Sequence, residues 1–86
     1  MAEVEIGKVA HYFGKPMVAA IELTGGTLKK GDTIRILGHT SDFTQVVESM
    51  QIEHETVETA KAGDSIGIKV KEHARQHDRV FKITEQ

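Results

Sequence analysis

The chain has 86 residues, 38% hydrophobic and 28% charged, and its 11 Lys and Arg against 13 Asp and Glu leave a formal charge of -2. That is the size and balance of one globular domain spanning 1–86, and no apolar run approaches the roughly 18–20 residues of a membrane span. The absence of cysteine excludes a disulfide, a thiolate zinc site and a Cys nucleophile, and an N-terminus without a basic-then-apolar stretch leads us to expect a cytoplasmic protein without membrane contact.

In chain order the sequence reads as strands and turns. Residues 4–13 form a first strand in which Val4 and Ile6 share one parity and Val9, His11 and Phe13 the other. Strand side chains alternate with period two, so the switch predicts a bulge at Gly7. His11 and Phe13 are then expected inward and Tyr12 outward. Gly14-Lys15-Pro16 is a turn, and residues 17–23 are apolar on nearly every position, as a strand buried on both sides would be. Gly25-Gly26 and Gly31-Asp32 break the chain before a strand at 33–38 with Ile34 and Ile36 inward. Residues 39–42 read as a loop, and 43–53 as one long, coiled strand of mixed parity. Residues 54–62 have no clean period. After a second Gly-Asp turn at Gly63-Asp64, residues 65–71 alternate, with Ile66, Ile68 and Val70 inward and Lys69 and Lys71 outward. A polar connection at 72–77 has room for one helical turn, and 79–83 is the last strand. Gly31 and Gly63 are predicted at positive φ. Gly67, inside a strand, is predicted to mark the close approach of another chain segment.

Six to seven strands with turns every 8–12 residues predict an all-β fold: a small, closed, antiparallel barrel. Closure would spare so short a chain an exposed edge.

Five pieces then stand in order: Ile6-Gly7-Lys8-Val9, Leu28-Lys29-Lys30-Gly31-Asp32-Thr33-Ile34-Arg35-Ile36, Val47-Glu48-Ser49-Met50-Gln51, Ala60-Lys61-Ala62-Gly63-Asp64-Ser65-Ile66-Gly67-Ile68 and Asp78-Arg79-Val80. Together they resemble the second, β-barrel domain of the translational GTPases such as elongation factor Tu, over nearly the whole chain from Ile6 to about Ile83. The resemblance implies the barrel of a translation factor standing without its GTPase. The phosphate loop Gly-x-x-x-x-Gly-Lys-Ser/Thr is missing from the sequence, so nucleotide binding is not expected. In that family a Glu immediately before the motif Met helps hold the aminoacylated end of tRNA. Here Ser49 has that place, Glu48 is one residue off, and Lys69 replaces an apolar residue two positions after the strand glycine. The resemblance implies a binding module of translation that contacts RNA, tRNA, the ribosome or a ribosome-associated protein. Its alternative is a protein-interaction module, since similar barrels are appended to collagenase-like, peptidase-family enzymes linked to RNA modification.

The charge is unevenly placed. Residues 42–64 carry six acidic and one basic side chain, and 65–86 carry five basic and three acidic. The basic strand positions expected outward, Lys8, Arg35, Lys69 and Lys71, with Tyr12 as a stacking side chain, form the expected binding set. His73 and His77 have the spacing of two ligands on one helical turn, but a zinc site needs three or four, so neither metal nor cofactor is expected. There is no nucleophile elbow and no paired acid–base signature, so the domain is expected not to be an enzyme.

Overall fold

The computed structural model describes residues 2–84. Ten strands run β1 (Ala2–Phe13), β2 (Val18–Leu23), β3 (Thr27–Lys29), β4 (Thr33–Leu37), β5 (Asp42–Val46), β6 (Met50–Ile52), β7 (Glu55–Val57), β8 (Thr59–Lys61), β9 (Ser65–Lys69) and β10 (Arg79–Thr84). Eight form one antiparallel sheet in the order β5-β4-β10-β1-β2-β9-β6-β7, and β3 pairs with β8 in a second. The chain is all-β, as expected. Its core gathers the inward parity of the strands, with Ile6, Val9, Ile21, Leu23, Leu28, Ile34, Ile36, Met50, Ile68 and Val80 at most 1% exposed.

The strand count exceeds the expected six or seven because Thr27–Lys29 pairs with Thr59–Lys61 as β3 with β8, and for two further local reasons. The single strand expected at 43–53 is interrupted at Val47, which leaves the sheet to join the Gly31-Asp32 turn. The Val47 N–H donates to the Asp32 carbonyl at 2.8 Å, and the Gly31 N–H donates to the Val47 carbonyl at 2.8 Å. Beyond β6 the chain reverses through Glu53 and His54, both at positive φ (50° and 69°), which pairs Ile52 with Glu55. That is a two-residue hairpin turn of the primed kind, built without the Gly or Asn that normally announces one. Residues 54–62 therefore hold β7 and β8 where no period was visible. The helical turn for which 72–77 had room is absent: the segment consists of turns and irregular backbone.

The expected closure is also not made by ladders. Among the described residues no ladder joins the edge strands β5 and β7. At the seam between β5 and the end of β9, a side chain bridges the backbone instead: Gln45 Nε2 donates to the Lys69 carbonyl and Gln45 Oε1 accepts from the Lys71 N–H, each at 2.9 Å.

Two register shifts bend β1. One lies between Glu5 and Gly7 against β10, as the parity change predicted. A Cβ on Gly7 would fall on the carbonyl oxygen of Glu22 in β2, so the close approach expected at Gly67 occurs here. A Cβ on Gly67 would lie 3.5 Å from Val18 Cγ1, an ordinary contact. The second shift lies between Val9 and His11 against β2. A one-residue slip moves every following side chain to the other face, so Tyr12 packs on the core while His11 and Phe13 are exposed.

One turn recurs three times. At 29–32, 61–64 and 75–78 an Asp carboxylate accepts the backbone N–H three residues earlier, from Lys29, Lys61 and Arg75, at 2.8–3.0 Å. The residue before each Asp has positive φ: Gly31 98°, Gly63 97° and His77 78°. Each turn launches a strand, β4, β9 or β10. The two glycines were legible; the third position is filled by histidine.

Candidate binding face at the hairpin end

The turn joining β1 to β2 and the segment leaving β9 meet at one end of the sheet. The Val70 N–H donates to the Met17 carbonyl at 2.8 Å, and Val18 stands opposite Lys69 in the β2–β9 register. This contact holds the hairpin turn beside the two lysines.

A groove lies on each side of this junction. The first, of about 560 Å³, runs along the Gln45 seam and is lined by Thr44, Val46 and Glu48 on one side and Lys69, Val70 and Lys71 on the other. The second, of about 360 Å³, is lined by His11, Tyr12 and Gly14 of the hairpin and by His73, Arg75 and Gln76. Within it Tyr12 and His73 stack, with ring centroids 4.4 Å apart and planes tilted by 37°, and His11 meets Phe13 edge-on at 4.6 Å.

The predicted binding residues do not form one set. Lys69 and Lys71 are exposed in the first groove. Tyr12 lies in the second, half-buried beneath His73, so it is not the outward stacking residue expected; the slip after Val9 turned it in. Lys8 is exposed midway along β1, flanked in register by Glu22 and Arg79. Arg35 is occupied by carboxylates. Its Nε and Nη2 donate to Asp42 at 2.8 and 3.0 Å, and its Nη1 to Glu3 at 3.2 Å. The hydrogen bonds to Asp42 and Glu3 raise the guanidinium above its ordinary pKa, and the bond from Arg35 holds the Asp42 carboxyl below its own. A fork already gripping a carboxylate in bidentate fashion has little left for a phosphate.

His73 and His77 part company: His73 lines the second groove, and His77 lines a separate one with Leu37, Gly38, His39 and Arg79. Among the described residues no group of three or more His, Cys, Asp or Glu is placed to hold a metal. No helix of the described residues is long and apolar enough to cross a membrane.

Two residues of this end were missed in the sequence. Gln45 shares its parity with Phe43 and Val47, which are both buried, and a polar residue on a buried parity was the available signal. Arg75 carried none, because its place depends on the irregular path of 70–78.

Comparison with known proteins adds the following. Residues 17–77 match the family Elongation factor Tu domain 2. The chain is 45% identical over 84 residues to an uncharacterized protease of Methanocaldococcus jannaschii and 38% identical over 82 residues to a collagenase of Porphyromonas gingivalis. These alignments cover 96% and 94% of this chain but 20% of each relative, so the chain spans about a fifth of the curated relatives it matches. Among solved structures it is similar to the C-terminal domain of a Geobacillus thermoleovorans protein assigned to the U32 peptidases, with TM-score 0.86 and 21% identity over 94% of this chain and 93% of that one. It is also similar to GDP-bound aIF5B from Aeropyrum pernix, with TM-score 0.64 and 15% identity over 92% of this chain and 15% of that one. At these identities the two structures speak for the fold.

Proposed function

The chain belongs to the elongation factor Tu domain 2 family, and from that premise we propose that it is a non-catalytic accessory module that docks on the body of a peptidase-family enzyme. The observation that carries this reading is one of proportion. The chain aligns over nearly all of itself with a fifth of a protease and a fifth of a collagenase, and a solved C-terminal domain of its own size shares its fold. In such a protein the chemistry belongs to the remaining four-fifths, and a small sheet without a nucleophile signature contributes binding. We also take the sheet to close into a barrel at the seam, with the Gln45 amide standing in for a missing ladder.

The test is a chimera: this chain replaces the matching segment of the Methanocaldococcus jannaschii relative. A docked module unfolds at a higher temperature than the isolated chain, because contacts made only in the folded state stabilise it. A module that melts in the chimera where it melts alone is not docked, and the reading fails.

The translation reading keeps one supporting observation, the exposed pair Lys69 and Lys71. It requires binding of bulk tRNA whose affinity falls steeply with salt.

A further inference from the structure

We propose that the hairpin end is the docking face of the module and that it takes an acidic protein surface with an apolar centre, on the body of the enzyme. The inference deepens the docking reading above and rests on it.

Four large hydrophobic side chains are exposed in the described structure: Val4 at 51%, Phe13 at 47%, Met17 at 36% and Val46 at 50%. Two of them stand at this one end, and Val46, in ladder register with Thr33, Ile83 and Glu3, borders it only across the seam. Phe13 and Met17 flank the turn, and Val46 lines the groove shared with Lys69 and Lys71. Val4 lies nine residues back along β1, roughly 30 Å away at about 3.3 Å per residue. Phenylalanine and methionine are enriched at the centre of protein interfaces, whereas scattered exposed apolar residues have no such meaning.

Met17 adds a second observation. Its φ of 54° is rare for a bulky residue. Backbone held in this region carries strain that the surroundings must maintain, and such strain collects at functional sites. Here the bond from Val70 to the Met17 carbonyl pins it. The sequence thus keeps a bulky thioether, exposed, where glycine would be relaxed.

The third observation is charge. Lys15 sits in the turn, Lys69 and Lys71 beside Val70, and Arg75 beside Gly14 across the second groove. Glu48 and Glu72 are the acidic residues near them. The end is therefore net basic around an apolar middle, although the chain as a whole is at -2. A basic rim favours an acidic partner and repels a basic one. Apolar anchors fit a protein better than a phosphate backbone, whose contacts come from cations and polar groups.

The experiment uses the chimera described above and the isolated chain. Phe13→Asp with Met17→Asp, and separately Lys69→Glu with Lys71→Glu, are expected to abolish the elevation of the module's melting temperature in the chimera. Each isolated variant should melt within a few degrees of the isolated wild type, since all four side chains are exposed; this separates lost docking from lost folding. Val4→Asp, equally exposed but remote, should keep the elevation. If the first two variants keep it, or if Val4→Asp also removes it, the docking face is misassigned while docking itself stands. If wild-type chimera shows no elevation, the docking reading falls first. Should the isolated chain bind bulk tRNA in a salt-dependent manner that Lys69→Glu with Lys71→Glu abolishes, the face belongs to nucleic acid and the proposal is overturned.

Discussion

Replacing Gln45 by alanine tests how the sheet is held at its seam. The side chain makes two hydrogen bonds of 2.9 Å, and both go to the backbone of the strand end opposite. A hydrogen bond contributes about 0.5–1.5 kcal/mol net, so removing both should cost about 1–3 kcal/mol. For a domain of this size each kcal/mol moves the melting temperature by about 4–8 °C, which predicts a fall of roughly 4–24 °C. Gln45→Glu sharpens the test. The carboxylate keeps an acceptor for the Lys71 N–H but places a second acceptor against the Lys69 carbonyl. The misplaced charge raises the folded-state pKa of this Glu above the ordinary value of about 4.3. Protonation restores a donor, so the deficit of Gln45→Glu relative to wild type should shrink as pH falls through the raised value and reach its minimum below about 4.3. Urea unfolding at pH 7 and pH 4 measures both effects, and amide exchange at Lys71 should accelerate in the alanine variant. A Gln45→Ala protein within about 0.5 kcal/mol of wild type, with Lys71 still protected, would refute the view that this amide ties β5 to the end of β9; surface substitutions without a structural role fall in that range.

Three further outcomes are expected. Gly7→Ala should destabilise by about 3 kcal/mol, because its Cβ meets the backbone of Glu22 rather than a side chain that can move, while Gly67→Ala should stay within about 0.5 kcal/mol; chemical denaturation of the pair compares them directly. His77→Gly should raise stability by about 0.5–1 kcal/mol, since glycine occupies positive φ without the penalty that histidine meets at 78°; a lower melting temperature would mean that the imidazole makes a contact worth more than the strain. Asp42 titrates below its ordinary value because Arg35 hydrogen-bonds its charged form. A depressed carboxyl contributes above the unfolded pKa of about 3.9 and loses that contribution as pH falls through the lower, folded value. The difference in melting temperature between wild type and Asp42→Asn should thus be constant above about pH 5 and vanish in acid. A difference that grows on acidification would contradict the assignment.

The parts of the fold that were legible are those with a local chemical signature. Gly31-Asp32 and Gly63-Asp64 marked turns that start strands, and alternating Ile66, Ile68 and Val70 marked the inward face of β9. Gly7 marked a real bulge. What stayed hidden depends on partners far along the chain. The slip after Val9 has no glycine to announce it, since Ala10 simply passes opposite a β2 register that skips it. The Glu53-His54 turn adopts positive φ with residues that rarely do so, and Val47 leaves its strand for a turn much earlier in the chain. The site followed the same division. Lys69 and Lys71 were placed outward by alternation alone. Arg35 was also placed outward, but alternation cannot tell a free guanidinium from one held by Glu3 and Asp42. Tyr12 was misplaced because one hidden register shift reverses everything beyond it.

The two register shifts of β1 give that strand an unusual freedom. Its first half takes its parity from β10 and its last residues take theirs from β2, with the adjustment made at Ala10. The hairpin end is accordingly geared to the core through a single residue. Deleting Ala10 would remove the bulge and leave Val9, His11, Tyr12 and Phe13 opposite Ile21, Ala20, Ala19 and Val18 in an unbroken ladder, so Tyr12 stays inward and Phe13 stays at the tip. What the tip presents is thus set by its pairing with β2, and a lineage carrying this strand can lose the bulge residue without changing the tip or the domain's interior.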